Sequence, residues 1–258
     1  MREQHLLVKK GEIAKYVLLP GDPGRVKTIG AFLDDPKVIS QNREFIVLNG
    51  EYKGVALTVI STGIGCPSTA IAVEEAINAG AEVLIRVGTC GGAWRKDIPA
   101  GSLVIPTACI RDEGTTSEYI AAGFPAVADF SVVDALKNAA EKEKNNYFIG
   151  INRTHDAFYG VKQSITKWGE LYKDKRLSAY MSPILSSEME ASALFVIASL
   201  RGVKAGAVLA VDAQPEVLRE RVVGRQIGVK TFDSICIRDM VVKKMILTAL
   251  EGLCFMAS

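Results

Sequence analysis

Short β-branched or aliphatic runs bounded by glycine and proline recur along the chain. They fall at Tyr16–Leu19, Val55–Ile60, Val83–Val87, Ser102–Ile105, Tyr147–Ile151 and Ala205–Val211, and each predicts a strand. Between several of them apolar residues return every three or four positions, which predicts helices over Pro67–Ala79, Val132–Lys142, Glu188–Leu200 and Asp233–Gly252. Elements alternating in this way predict an α/β fold, a central sheet covered by helices on both faces. Val83-Leu84-Ile85 and Ala207-Val208-Leu209-Ala210-Val211 are apolar without alternation, so these strands are expected at the centre of the sheet, where carboxyl ends deliver ligands. The polar stretch Gly169–Ser186, with Lys173, Asp174, Lys175 and Arg176, predicts a loop or flap. No repeat, low-complexity tract or Pro/Ser-rich linker marks a boundary, so residues 1–258 are expected to form a single domain.

Composition narrows the class. The chain is 48% hydrophobic, enough for one large core, and 31 basic against 29 acidic residues leave a formal charge of +2. Without a dense Lys/Arg block, no nucleic-acid or membrane partner is expected, and any bound anion should be small and held locally. No apolar run approaches a membrane span and the first residues are not a signal peptide, so the expected location is cytoplasmic. Cys66, Cys90, Cys109, Cys236 and Cys254 form no CxxC pair and predict buried reduced thiols. With His5 and His155 the only histidines, a His-rich metal centre is not available.

Five segments could carry chemistry. Leu19-Pro20-Gly21-Asp22-Pro23-Gly24-Arg25 follows a strand; its glycines let backbone N–H groups approach an anion and Arg25 adds a planar donor fork, although a plain turn has the same composition. In Ile85-Arg86-Val87-Gly88-Thr89-Cys90-Gly91-Gly92 an arginine sits within a buried strand, where its charge needs a carboxylate or a bound anion. Arg43, in Asn42-Arg43-Glu44-Phe45, is a further basic candidate or a surface residue. In Ser187-Glu188-Met189-Glu190-Ala191 two carboxylates flank a methionine at a helix start; either they complement the helix dipole or one of them takes both hydroxyls of a ribose. Phe158-Tyr159 could stack on a base or pack in the core.

Taken in order, Gly21-Asp22-Pro23-Gly24-Arg25, Asn42-Arg43-Glu44-Phe45, Ser61-Thr62-Gly63-Ile64-Gly65-Cys66-Pro67-Ser68, Arg86-Val87-Gly88-Thr89, Asp156-Ala157-Phe158-Tyr159 and Glu188-Met189-Glu190 resemble the nucleoside phosphorylase family of bacterial uridine and purine enzymes. The segment Phe124–Phe130 and the position of His5 look most like the uridine branch. The resemblance implies a mixed, twisted, partly barrel-like sheet flanked by helices. It also implies a hexamer built as a trimer of dimers, with active sites shared between subunits. Gly21, Arg25, Arg86 and Thr89 would hold inorganic phosphate, the co-substrate, together with Arg43 of a neighbour. Glu190, Met189 and Glu188 would meet the ribose, His5 of a neighbour its 5′-hydroxyl, and Gly91, Phe158 and Gln163 the base. No cofactor is implied, although Glu44 and Ser68 match a monovalent-cation (K+) site at the dimer interface.

The base pocket departs from the uridine pattern. Phe158-Tyr159-Gly160-Val161-Lys162-Gln163-Ser164 displaces the glutamine of Phe-Tyr-x-Gly-Gln-x-Arg and lacks its arginine. The late strand ends Ala210-Val211-Asp212-Ala213-Gln214-Pro215-Glu216, whose Gln-x-Glu ending resembles the uridine branch. Asp212 lies one position from the proton-donating aspartate of purine enzymes, and a one-residue bulge would bring it to a purine. Three readings stay open: a uridine phosphorylase with Arg86 at the phosphate and Glu190 at the ribose as its catalytic residues, a purine phosphorylase that adds Asp212 as the acid, and a nucleosidase or non-catalytic nucleoside-binding protein.

Overall fold

The computed structural model describes residues 2–92, 97–158, 184–213 and 232–257. The strands are β1 (Tyr16–Leu19), β2 (Asp34–Asn42), β3 (Phe45–Tyr52), β4 (Val55–Ile60), β5 (Val83–Gly92), β6 (Leu103–Asp112), β7 (Ala126–Val127), β8 (Tyr147–His155), β9 (Ile184–Glu188) and β10 (Lys204–Ala213). The helices are α1 (Pro23–Gly30), α2 (Cys66–Ala79), α3 (Thr115–Tyr119), α4 (Phe130–Lys142), α5 (Ala191–Arg201) and α6 (Phe232–Ala257).

All the strands join one mixed sheet in the order β10-β6-β8-β9-β5-β1-β4-β3-β2, with β7 added to β6. A further β10–β5 pairing closes β10, β6, β8, β9 and β5 into a ring, and β1, β4, β3 and β2 run out from it as an open arm. Closure makes the sheet partly barrel-like, as expected. β1, β4, β5 and β10 pair in parallel, so their carboxyl ends share one edge.

Side-chain alternation explains the unbroken apolar runs. Val17, Leu84, Ala207, Leu209 and Val211 join one core with α2 and α5, while Leu18, Ile85, Val208 and Ala210 join another with α1, α4 and α6. Every position of such a strand is apolar because both faces are covered.

The structure differs from the sequence expectation at identifiable places. α1 stands where a turn was the simpler expectation: Asp22 caps it by accepting the Gly24 N–H at 2.8 Å, and Pro23 begins it. β2 has no apolar alternation and is exposed over its first half, so nothing in its pattern announced it. The helix expected from Glu188 starts at Ala191, because Glu188 still pairs with Thr154 as the last residue of β9. β9 itself occupies the end of the segment expected to be a loop; residues 169–183 lie outside the described residues. Cys66, Cys90 and Cys109 are buried free thiols, and Cys254 is half-buried.

Candidate active site

The carboxyl edge of β5 organises the site. Arg86 is buried to 4% exposure, and its guanidinium folds back over Gly88, where an added Cβ would lie 2.6 Å from Nη2. A side chain at that position would displace the guanidinium, which accounts for the Arg-x-Gly spacing. Arg86 Nε donates to Glu188 Oε2 at 2.8 Å, and Nη2 forms an ion pair with Glu190 Oε2. Nη1 is buried with no hydrogen-bond partner, and it lies 3.8 Å from where a Gly21 side chain would begin. An unpaired guanidinium nitrogen in a buried setting is a donor waiting for an acceptor.

Arg25, on α1, reaches the same edge and donates from Nη1 to the Val87 carbonyl at 3.1 Å. Burial first, and then the neighbouring Arg86 charge, pull its pKa below the usual arginine value. Two buried guanidinium groups whose charges repel lie beside the close approach at Gly21, a repulsion that a small dianion would relieve. Thr89, further along β5 and half-buried, pairs with Ala210 at the same edge.

Glu188 is the hub beneath Arg86. Its Oε2 also accepts the N–H groups of Glu190 and Ala191, at 2.8 and 2.9 Å, and so caps α5. Its Oε1 accepts from Asn152 Nδ2 at 2.8 Å and from Thr154 Oγ1 at 2.7 Å. Burial alone would raise this carboxyl's pKa, but the Arg86 charge and the Thr154 and Asn152 donors outweigh it and hold the group below the ordinary carboxylate range. Asn152 and Thr154 were not anticipated as site residues: they lie beyond Ile151, where the apolar run ends and the strand was expected to stop.

Glu190 is placed differently. Its Oε1 accepts the Gly65 N–H at 2.6 Å, and burial, only partly offset by Arg86, raises its pKa. The thiol of Cys66 donates to the Met189 carbonyl at 3.2 Å, so the start of α2 holds the Met189-Glu190 turn from the other side.

The remaining predicted residues fall into two further groups. His5, Arg43, Glu44 and Ser68 gather around the β2–β3 hairpin. Asn42 Nδ2 donates to the His5 carbonyl at 3.0 Å, His5 packs edge-on against Phe45 at 6.2 Å, and Ser68 Oγ donates to Glu44 Oε1 at 2.8 Å. Gly63, at φ +72°, separates this group from the Arg86 centre; a Cβ there would lie 2.7 Å from Glu44 Cγ. Arg43 is exposed, at φ +52°, in the two-residue hairpin loop.

Toward the expected base pocket, Gly91 pairs with Ser187 and Ala213, and Phe158 is 63% exposed. Gln163 lies outside the described residues. Val211 pairs with Cys90 and Ala213 with Gly91, so Asp212 is the extra residue of a β-bulge. Its carboxylate forms an ion pair with Arg238 of α6 at 3.7 Å, and both groups act electrostatically on Arg25. Arg238 carried no sequence signal, being one charged residue on an exposed helical face.

A mixed sheet with a partly closed ring thus carries, at the carboxyl edge of β5, two buried arginines with two carboxylates paired to one of them. The chain belongs to the phosphorylase superfamily, whose family model matches residues 15–233. It is 44% identical over 210 residues to the uridine phosphorylase of Treponema pallidum, covering 81% of each chain. It is 37% identical over 235 residues to the guanosine phosphorylase of Halorubrum lacusprofundi, covering 91% of this chain and 90% of that one. Among solved structures, uridine phosphorylase from Vibrio fischeri superposes with a TM-score of 0.84 at 32% identity, covering 98% of this chain and 97% of the other.

Proposed function

We propose that this protein is a pentosyltransferase that cleaves uridine with inorganic phosphate to uracil and ribose 1-phosphate. The observation that carries the reading is the unpartnered, buried Nη1 of Arg86 beside Gly21, with Arg25 against the same edge. A hydrolytic nucleosidase needs no such cationic pocket. The similarity to uridine phosphorylases over four-fifths of the chain supports uridine as the nucleoside.

In this mechanism phosphate is bound by Gly21, Arg25, Arg86 and Thr89, and by Arg43 of a neighbouring subunit. The bond between C1′ and the base breaks with its electron pair going to the base, and the sugar gains oxocarbenium character. A phosphate oxygen then bonds to C1′ from the opposite face, and the leaving base takes up the proton that hydrogen phosphate loses. Glu190 accepts the ribose 2′- and 3′-hydroxyls, Met189 packs on the sugar, and Gly91, Phe158 and Gln163 line the base. Glu188 does not need to touch substrate: its donors are protein groups, and its work is to hold Arg86 and the Glu190 turn. The reading carries with it a cytoplasmic single-domain subunit in a hexamer. No cofactor is needed. Glu44 and Ser68 offer hard oxygen donors that would hold a monovalent cation and brace the hairpin. Among the described residues no helix is long and apolar enough to cross a membrane.

A purine reading has its own support, the bulge at Asp212. An extra residue re-aims a side chain, and a carboxyl at the carboxyl end of β10 would protonate a purine nitrogen once it takes up a proton and releases Arg238. Free-base release from uridine, thymidine, inosine, guanosine and adenosine, each with and without phosphate, tests both readings. Phosphate-dependent uracil release is expected; phosphate-dependent purine release alone would transfer the proton-donor role to Asp212, and phosphate-independent release would end the phosphorylase reading.

A further inference from the structure

Glu75 of α2 is a buried carboxylate outside the phosphate and ribose centre, yet it is committed entirely to one segment. It accepts the His5 N–H at 3.0 Å on both oxygens, the Leu6 N–H at 2.7 Å on Oε2, and lies 2.7 Å from His5 Nδ1 on Oε1. Its side chain is 11% exposed and that of His5 is 26% exposed. Leu6, fully buried in the core beside α2, anchors the segment from below. A carboxylate can only accept, so the Nδ1 facing it must carry the proton. In the neutral imidazole this leaves Nε2 as a bare acceptor.

We propose that Glu75 is a positioning residue that fixes the tautomer and direction of His5, so that Nε2 is presented outward as the acceptor of the nucleoside 5′-hydroxyl proton. The inference rests on the proposed role of His5 at the 5′-hydroxyl of a neighbouring subunit's substrate. Phe45 packs edge-on against the ring and Asn42 holds the His5 carbonyl, so the hairpin that carries Arg43 and the segment that carries His5 are tied together. Glu75 thereby ties both residues that the neighbouring site would borrow to the rigid helix α2.

The test compares kcat/KM for uridine against 5′-deoxyuridine, and for inosine against 5′-deoxyinosine, in the wild type and in His5→Ala, Glu75→Met and Glu75→Gln. Because the ratio is taken within each variant, a loss of active fraction cancels. Glu75→Met is expected to reduce the preference for the 5′-hydroxyl by about three- to tenfold, as His5→Ala does, the size of one lost hydrogen bond. Glu75→Gln, whose amide oxygen still accepts from Nδ1–H, is expected to recover part of it. A wild-type ratio in Glu75→Met beside a collapsed ratio in His5→Ala overturns the inference while leaving His5 at the ribose. An unchanged ratio in His5→Ala removes His5 from the ribose and the inference with it, without touching the phosphate site.

Independently of activity, 15N spectroscopy of labelled histidine, of which the chain has only two residues, reads the tautomer directly. A protonated Nδ1 and bare Nε2 are expected for His5 in the wild type, relaxing toward the Nε2–H form in Glu75→Met. A bare Nδ1 in the wild-type protein overturns the assignment.

Discussion

Two clusters, each pairing buried carboxylate with a cation that is buried in one and exposed in the other, stand at opposite edges of the sheet. At the carboxyl edge, Glu188 and Glu190 surround the buried Arg86. At the amino edge, Glu251 of α6 receives Lys142 Nζ at 2.6 Å, Tyr52 Oη at 2.8 Å and the ammonium of Lys53. The ingredients are alike and the arrangement is not. Both lysines are more than half exposed, so their charges stay largely hydrated, and the Glu251 oxygens are satisfied by groups that water can also reach. Arg86 is withdrawn from water, shared between two carboxylates, and still leaves one nitrogen without an acceptor. A closed cluster stabilises a fold; a buried cluster with one open valence is built for something that arrives later.

Removing the centre of the open cluster should have the largest effect. Arg86→Ala is expected to lower phosphate-dependent kcat/KM by at least about 10²–10³-fold, the scale of losing one preorganised charge donor. It should also cost on the order of 3–5 kcal/mol of stability, because Glu188 and Glu190 lose their counter-charge. Turnover kinetics and denaturant melts check both, and near-normal turnover would take Arg86 out of the phosphate site.

Glu190→Ala is expected to lose roughly 3–6 kcal/mol of transition-state binding if it accepts two charge-assisted hydrogen bonds of roughly 1.5–3 kcal/mol each. Unchanged discrimination between ribosides and 2′,3′-dideoxyribosides would contradict that role.

Thr154→Val and Asn152→Ala should act through Glu188, each by roughly tenfold in kcat/KM, about 1.4 kcal/mol for a lost hydrogen bond to a charged group. Their distinguishing sign is the pH profile. Glu188 is held below its ordinary pKa, so the stabilisation it gives is present above the ordinary carboxylate value and is lost as pH falls through the folded value. Taking away a donor raises the folded value, and the acid limb should move to higher pH. A fall in rate with an unmoved acid limb would mean that these residues serve packing alone.

Glu251→Gln should change activity least. Burial alone would raise the Glu251 pKa, but the Lys142, Lys53 and Tyr52 donors together outweigh it and bring it down to about 2, so its contribution is present above the ordinary carboxylate value and is lost as pH falls toward about 2. The variant is expected to be less stable at neutral pH by about 1.5–3 kcal/mol, with the gap closing on acidification. A change in kcat larger than twofold would blur the distinction between the two clusters.

Much of this arrangement was legible in the chain. The unbroken apolar runs of β5 and β10 announced central strands because burial on both faces leaves no place for a polar residue. Arg86 was conspicuous for the same reason, a charge where none is affordable without a partner. The edge strand β2, mostly exposed, carries no such constraint and stayed invisible, and so did α1, whose start looks like any Gly-Asp-Pro-Gly turn.

By itself the sequence determined the fold class, the edge at which ligands would meet, and the residue types gathered there, since burial period and the cost of an unpaired charge are local properties of the chain. Tertiary structure alone decided how those residues divide the work. Glu188 and Glu190 lie two apart and share one composition. Yet Glu188 meets Asn152 and Thr154 and is held ionised as a scaffold, whereas Glu190 meets Gly65 and shares Arg86 with it. Glu75 acquires its link to His5 across 70 positions of chain. Hydrogen bonds and charges act over a few ångströms of space whatever their separation in sequence, so only the folded chain could assign these partners.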